Sequence, residues 1–220
     1  MLPLRNSSLK QLPWLTLLTG AAALLIFAAP PELASSLQFD RANLTSVWRL
    51  LTAHLTHWNL EHLTWDVLML LIVGTLVERH SRKGWIVTML FTSIIVSTSV
   101  LLFKIDLQLY RGLSGLDMAL AGTYIVSQIH ASKSKSHLGS KNLYSFALLI
   151  ILAKPLIEVI RDQPLFISDL GQGIENVPLA HLIGAFTGIL VAMATRPQQN
   201  VHKKCKPSRN RSSILPNINL

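Results

Sequence analysis

Cysteine is nearly absent from this chain, and charge of either sign is scarce. Cys205 is the only cysteine in 220 residues, so an intrachain disulfide and a C-x-x-C metal or redox motif are both excluded. Charged residues make up 14% of the chain and hydrophobic residues 50%, with a mean hydropathy of +0.42. This composition is too apolar for an ordinary soluble domain of this length and indicates a membrane protein.

Several stretches are apolar enough to cross a bilayer as helices, which takes about 20 residues each. The first follows Arg5 and Lys10 in the manner of a signal sequence, but it has no clear small-residue cleavage site, so we expect it to be retained. The sequence predicts an all-α membrane protein whose six-helix transmembrane domain covers residues 13–196, between a cytoplasmic segment 1–12 and a basic, disordered cytoplasmic tail 197–220. The predicted spans are residues 13–30, 60–77, 84–103, 114–129, 142–160 and 178–195.

The positions of Lys and Arg predict the orientation of these spans. The N-terminus, the loops after spans two and four, and the tail carry 14 of these residues, whereas the alternate segments carry 5. The positive-inside rule therefore places both termini in the cytoplasm. The net charge of +9 is interpreted as an orientation signal or a contact with anionic lipid, and not as a nucleic-acid site, because the tail has no interleaved aromatic residues.

A histidine in the sixth span and a serine at the start of the fourth are predicted to meet. In "AHLIGAFTGIL" (180–190), His181 shares a helical face with Gly184 and Gly188, a glycine pair that allows close approach of another helix. If this face packs on the fourth span, His181 can accept a proton from Ser114 of "YRGLSGLD". A helix cap and an interhelical hydrogen bond are the alternatives. The matching face on the fourth span consists of Ser114, Met118, Ala121 and Gly122.

The stretch "HLTHWNLEHLTWD" (54–66) adds three histidines and an aspartate on the same side of the membrane. His62 and Asp66 are four residues apart and share a helical face. His62 is a candidate donor to an oxyanion near Ser114, a contribution of about 3 kcal/mol in hydrolases. Metal ligation by His54, His57, His62 and Asp66 is a second interpretation, although the spacing matches no established zinc motif. We expect His54 and His57 to be interfacial loop residues beside Trp58.

Together these motifs resemble the rhomboid family of intramembrane serine proteases. The matching stretches are "WRLLTAHLTHWNLEHL" (48–63), "GTLVERH" (74–80), "GLSG" (112–115) and "AHLIGAFTG" (180–188), and the resemblance covers residues 45 to 195. It implies a six-helix rhomboid-like bundle that needs no cofactor or metal. Within the family the chain looks most like the rhombosortases, which implies substrates with a GlyGly-CTERM tail, meaning a glycine pair, a hydrophobic helix and a basic end.

By resemblance, Ser114 is the nucleophile and His181 its general base, in a dyad without a buried acid. His62 corresponds to the histidine that donates a hydrogen bond to the oxyanion. The backbone N–H of Ser114, expected to be unpaired at the helix start, is a second donor. Gly112 and Gly115 are expected to allow a tight turn and close approach of the scissile backbone.

Three residues depart from the family pattern. Asp66 stands where many relatives have Asn, and it is expected to orient His62, to favour its protonated form or to stay protonated itself. Met118 replaces a Tyr that stacks on the catalytic His, so a thioether contact is expected there. Asp117 is predicted to hold water or bind a substrate group.

The predicted function is cleavage of membrane-anchored proteins near a C-terminal transmembrane tail, at the bacterial inner membrane, with the active site open to the periplasm. A general rhomboid protease with broader substrates, a non-catalytic rhomboid-like binder of membrane helices and a metal-dependent membrane hydrolase are the alternatives. Retention of Ser114, His181 and His62 together argues against the binder.

Overall fold

The computed structural model describes residues 12–131, 138–161, 165 and 177–195, and these are mostly helical. The predicted tail 197–220 and all of the predicted segment 1–12 except Leu12 lie outside the described residues. Each predicted span coincides with helical structure, with ends that differ by a few residues. The helices are α1 (Trp14–Ala28), α2 (Pro31–Leu37), α3 (Arg49–Thr52), α4 (Leu60–Met69), α5 (Thr75–His80), α6 (Arg82–Phe103), α7 (Ser114–Ala131), α8 (Leu138–Arg161) and α9 (Pro178–Ala194).

Three helices in the described part of the chain are long and apolar enough to cross a membrane. They are Leu60–His80, Arg82–Phe103 and Lys141–Arg161, and α1 and α9 are apolar but shorter. The helix α7 is less apolar than these helices. Every residue from Gly115 to Thr123 is buried within the protein, so this part of α7 does not need a lipid-facing surface. A helix in the middle of a bundle is rich in small residues, because they allow the neighbouring helices to pack closely.

Glycine residues allow α7 and α9 to pack closely against each other. A Cβ on Gly184 would overlap the carbonyl of Gly115, and a Cβ on Gly188 would overlap the carbonyl of Ala119. The prediction that the Gly184–Gly188 face packs on the fourth span is confirmed. Gly122 of the predicted face of α7 lies in the contact, whereas the other contacting residues, Gly115 and Ala119, each follow a predicted one by one position.

The helices α4 and α5 form one continuous helix with a π-helical turn, Leu70–Gly74, between them. Such a turn inserts a residue and changes which face the following side chains present. Beyond it, the buried Glu78 accepts hydrogen bonds from the N–H of Leu15 (3.1 Å), the N–H of Thr16 (2.9 Å) and the hydroxyl of Thr16 (2.9 Å). Glu78 thereby caps α1, whose first amides have no helical partner.

A two-stranded antiparallel sheet closes the end of the bundle where α7 begins. The strand β1 (Phe39–Asp40) pairs with β2 (Leu109–Tyr110), with Phe39 opposite Tyr110. Arg41 follows β1, and its guanidinium donates to carbonyls at the end of α6, including those of Val100 (3.1 Å) and Lys104 (2.9 Å). These contacts fix the loop that leads into Ser114.

Candidate active site

The chain enters α7 through a sharp turn that Gly112 makes possible. Gly112 has φ +127°, a conformation that L side chains rarely adopt, and a Cβ there would lie 2.8 Å from Nε2 of His62. The next two amides, of Leu113 and Ser114, both donate to Oδ2 of Asp66 at 2.8 and 3.1 Å. The carboxylate of α4 therefore caps α7 at its positive end.

Ser114 and His181 lie in hydrogen-bonding contact across the α7–α9 interface. Nε2 of His181 is 2.8 Å from Oγ of Ser114. His181 is 8% exposed, so its ring is largely shielded while Ser114 faces a groove. The distance is suited to proton transfer from a serine hydroxyl to an imidazole.

A carboxylate that the sequence interpretation missed contacts the other ring nitrogen of His181. Oε2 of Glu158 lies 2.6 Å from Nδ1 of His181, and the other carboxylate oxygen lies 2.7 Å from Nζ of Lys154. The expected dyad without a buried acid is therefore not what the geometry shows. The available signal was an ionisable pair at i and i+4 within an apolar span, which is costly in a membrane and marks a functional interior.

Asp66 gathers four hydrogen-bonding contacts on a single oxygen. Besides the amides of Leu113 and Ser114, Oδ2 lies 3.1 Å from Nε2 of His57 and 3.3 Å from Nε2 of His62. An ionised carboxylate suits this position because it accepts from every neighbour. The expectation that the Ser114 amide is an unpaired oxyanion donor is wrong in this state, since Asp66 already accepts its hydrogen.

His62 remains a candidate oxyanion donor beside Asp66. Its Nε2 faces Asp66, whereas its Nδ1 has no hydrogen-bond partner among the described residues. The ring lines the same groove as Ser114. Asp66 orients His62, which is one of the three roles that the sequence left open.

His54 and His57 are both buried, which the expectation of interfacial loop residues did not predict; His54 lies in a short 3₁₀ helix, Ala53–Leu55, whereas His57 lies in the loop beside Trp58 as expected. His54 is fully enclosed, with Nδ1 3.2 Å from the carbonyl of Gly112 and Nε2 3.1 Å from that of Ser93. Burial lowers the pKa of His54. His54 thus positions the Gly112 turn from one side while His57 holds Asp66 from the other.

The four residues considered as metal ligands do not converge. His54 faces backbone carbonyls, and only His57 and His62 approach Asp66. Across the described residues, no group of three or more His, Cys, Asp or Glu side chains is arranged to hold a metal ion.

The two glycines of "GLSG" make close contacts within the protein. Gly112 approaches the ring of His62, and a Cβ on Gly115 would lie 3.1 Å from the carbonyl of Ala180. Gly115 therefore allows α9, which carries His181, to lie close to the start of α7. The two residues serve the placement of the site's side chains.

Asp117 and Met118 lie one turn into α7 and line the groove. Asp117 is 4% exposed, and neither of its carboxylate oxygens has a hydrogen-bond partner among the described residues. A buried polar group in that state is unfavourable for folding and is typical of a functional site. Met118 is buried and lines the same groove as His181.

One groove of about 1320 Å³ lies between α4–α5 and α8, with α7 at its base, and it is lined by His62, Asp66, Ser114, Asp117, Met118, Lys154, Glu158 and His181. Most of its lining is aliphatic or aromatic, and Ser114, His62, Asp117, Lys154 and Glu158 supply polar atoms. A large apolar groove with a few convergent polar groups fits an extended apolar segment whose backbone is presented to Ser114.

Comparison with known proteins agrees with this chemistry. The family model described as the Rhomboid domain matches residues 44–198, more than two thirds of the chain. A search of curated proteins finds no match. The chain belongs to the rhomboid family, whose domain denotes intramembrane serine proteases that act on membrane proteins, and it is a membrane-embedded protein.

Proposed function

We propose that the protein is a serine endopeptidase that cleaves membrane-anchored substrates through Ser114 and His181. The observation that carries the proposal is the 2.8 Å contact between Oγ of Ser114 and Nε2 of His181 at the base of an apolar groove. His181 accepts the hydroxyl proton as Ser114 attacks the scissile carbonyl, and it returns the proton to the departing amine. Water then resolves the acyl-enzyme.

His62 supplies the first donor to the oxyanion. The ring of His62 lines the groove beside Ser114 with Nε2 3.3 Å from Oδ2 of Asp66, and a ring N–H turned toward the scissile carbonyl would stabilise the developing negative charge. The amide of Ser114 can join it only after its hydrogen bond to Asp66 at 3.1 Å is released. Substrate binding therefore includes a small rearrangement at the start of α7.

The topology proposed for this enzyme has six transmembrane helices and cytoplasmic termini. The Lys and Arg distribution supports it, and it opens the active site to the periplasmic side of a bacterial inner membrane. The substrates we propose are rhombosortase substrates, proteins with a GlyGly-CTERM tail. A glycine pair suits the site because Gly weakens a helix by about 1 kcal/mol relative to Ala and eases unwinding into the groove.

A general rhomboid protease is the alternative within this mechanism, and cleavage of tailed and untailed membrane substrates side by side distinguishes the two. A strong preference for the tailed substrate, lost when its glycine pair is replaced by alanine, supports the rhombosortase assignment. Equal cleavage of both supports the general protease.

The test of the mechanism is Ser114→Ala in membranes, assayed with a fluorophosphonate probe and a co-expressed tailed substrate. We expect the variant to lose labelling and cleavage while it remains in the membrane. The matched control is Ser127→Ala on the same helix, where the hydroxyl donates to the Thr123 carbonyl at 2.7 Å. Cleavage by Ser114→Ala at the wild-type rate contradicts the proposal, and inhibition by a chelator without probe labelling points to the metal-dependent alternative.

A further inference from the structure

The helix α8 carries a buried ion pair that the Ser114–His181 chemistry does not by itself require. The side chain of Glu158 is 1% exposed and that of Lys154, one turn earlier, is 20% exposed, although α8 is the least buried of the three long apolar helices. Charges in a membrane-spanning helix are costly and persist where they face the protein interior. Both side chains point toward His181 and not toward lipid.

Each oxygen of the Glu158 carboxylate has a separate partner. Oε2 lies 2.6 Å from Nδ1 of His181, while Oε1 accepts from Nζ of Lys154 at 2.7 Å and from the amide of Leu165 at 3.1 Å. The second oxygen is thus fully occupied, and the first is directed at the ring. A carboxylate held at both ends is a rigid acceptor for a single imidazole N–H.

This arrangement determines the tautomer of His181. A carboxylate accepts only, so Nδ1 carries the hydrogen, and Nε2 presents its lone pair to Oγ of Ser114. Nζ of Lys154 lies farther from Nδ1, at 3.4 Å, and its close contact is with Glu158. The lysine therefore acts on the carboxylate.

We propose that Glu158, held by Lys154, is a positioning residue that makes the site a Ser-His-Glu triad. This inference rests on the proposed function of Ser114 and His181. As the serine gives up its proton, the ring becomes a cation between Ser114 and Glu158, and the carboxylate stabilises that cation without taking the proton. Among the described residues, the polar groups around the ring are Glu158 and Lys154 of α8, Ser114 of α7 and, farther away, Asp66 of α4.

The experiment measures kcat and KM for Glu158→Gln, Glu158→Asp and Lys154→Met. Gln can present its amide NH₂ to Nδ1 and select the wrong tautomer, so we expect kcat to fall about 10²- to 10⁴-fold with KM within a few fold of wild type. Asp is expected to recover part of the loss because it restores an acceptor. Lys154→Met is expected to lower kcat less than Glu158→Gln. The matched control is Glu32→Gln, a neutralised acidic residue at the exposed start of α2.

A spectroscopic measurement separates positioning from folding. In wild type and in Ser114→Ala, the Nδ1 proton of His181 should give a low-field proton resonance typical of a strong imidazole–carboxylate hydrogen bond, and the resonance should disappear in Glu158→Gln. Its absence from wild type overturns the inference even if the Glu158 variants do not fold. Undiminished kcat in Glu158→Gln, with Ser114→Ala inactive, also overturns it and leaves the proposed function intact. Full activity of Ser114→Ala overturns both.

Discussion

Replacing Gly184 by alanine should separate the two helices that carry the proposed dyad. A Cβ at this position overlaps the carbonyl of Gly115, the residue after Ser114, and Gly184 lies one turn after His181 on the same face of α9. Because packed atoms tolerate little overlap, α9 has to move by about 1 Å. The hydrogen bond between Ser114 and His181 starts at 2.8 Å, so a shift of this size breaks or badly misaligns it.

The expected magnitude is a loss of about 100-fold in kcat, since a misplacement of about 1 Å in a catalytic geometry has this effect. Overpacking should also lower the free energy of unfolding by about 1–3 kcal/mol. The assay is cleavage of a tailed substrate in detergent or proteoliposomes, with thermal unfolding measured in parallel.

The matched control is Gly20→Ala in α1, where a new Cβ meets its nearest neighbour, Cγ1 of Val67, at an ordinary 3.8 Å. Alanine should be neutral or stabilising there, because it loses less backbone entropy than glycine. If Gly184→Ala keeps wild-type activity and stability, the close α7–α9 approach does not set the geometry of the site.

Three further predictions concern single side chains. Glu78→Ala should lower the free energy of unfolding by about 2 kcal/mol or more, because it leaves the amides at the start of α1 without an acceptor. Arg82→Ala, which removes a partly exposed partner of Glu78, should lower it by less than about 1 kcal/mol, and thermal denaturation measures both. Asp117→Leu should raise the melting temperature, since it removes a buried carboxylate that has no hydrogen-bond partner among the described residues, and a lower melting temperature would reveal a stabilising contact. Gly112→Ala should lower the free energy of unfolding by about 2 kcal/mol or more and abolish cleavage, because φ is +127° and the new Cβ would overlap His62. A stable, active variant would contradict that geometry.

The helix positions followed from the sequence because hydrophobic runs and glycine spacing are local signals. The Gly184–Gly188 pair predicted a close helix contact, and the structure has one at the predicted helices. The one-residue offset on α7 arises because packing selects the smallest side chains, Gly115 and Ala119, and leaves Ser114 and Met118 at the groove. Helical periodicity alone does not distinguish two adjacent faces this close together.

The hydrogen bonds around the site were less accessible because they join residues far apart in the sequence. Asp66 was paired correctly with His62, a neighbour on its own helix, but its bonds to the amides of α7 depend on how α4 crosses that helix. Glu158 was missed for the same reason. Its contact with His181 spans 23 residues and depends on the tilt of α8.

The position of Glu158 on α8 gives this helix two roles in the site. The same helix forms a wall of the groove and supplies the carboxylate to His181. Any displacement of α8 that widened the groove would also lengthen the 2.6 Å contact between Glu158 and His181, so the width of the groove and the strength of the base are linked through one helix.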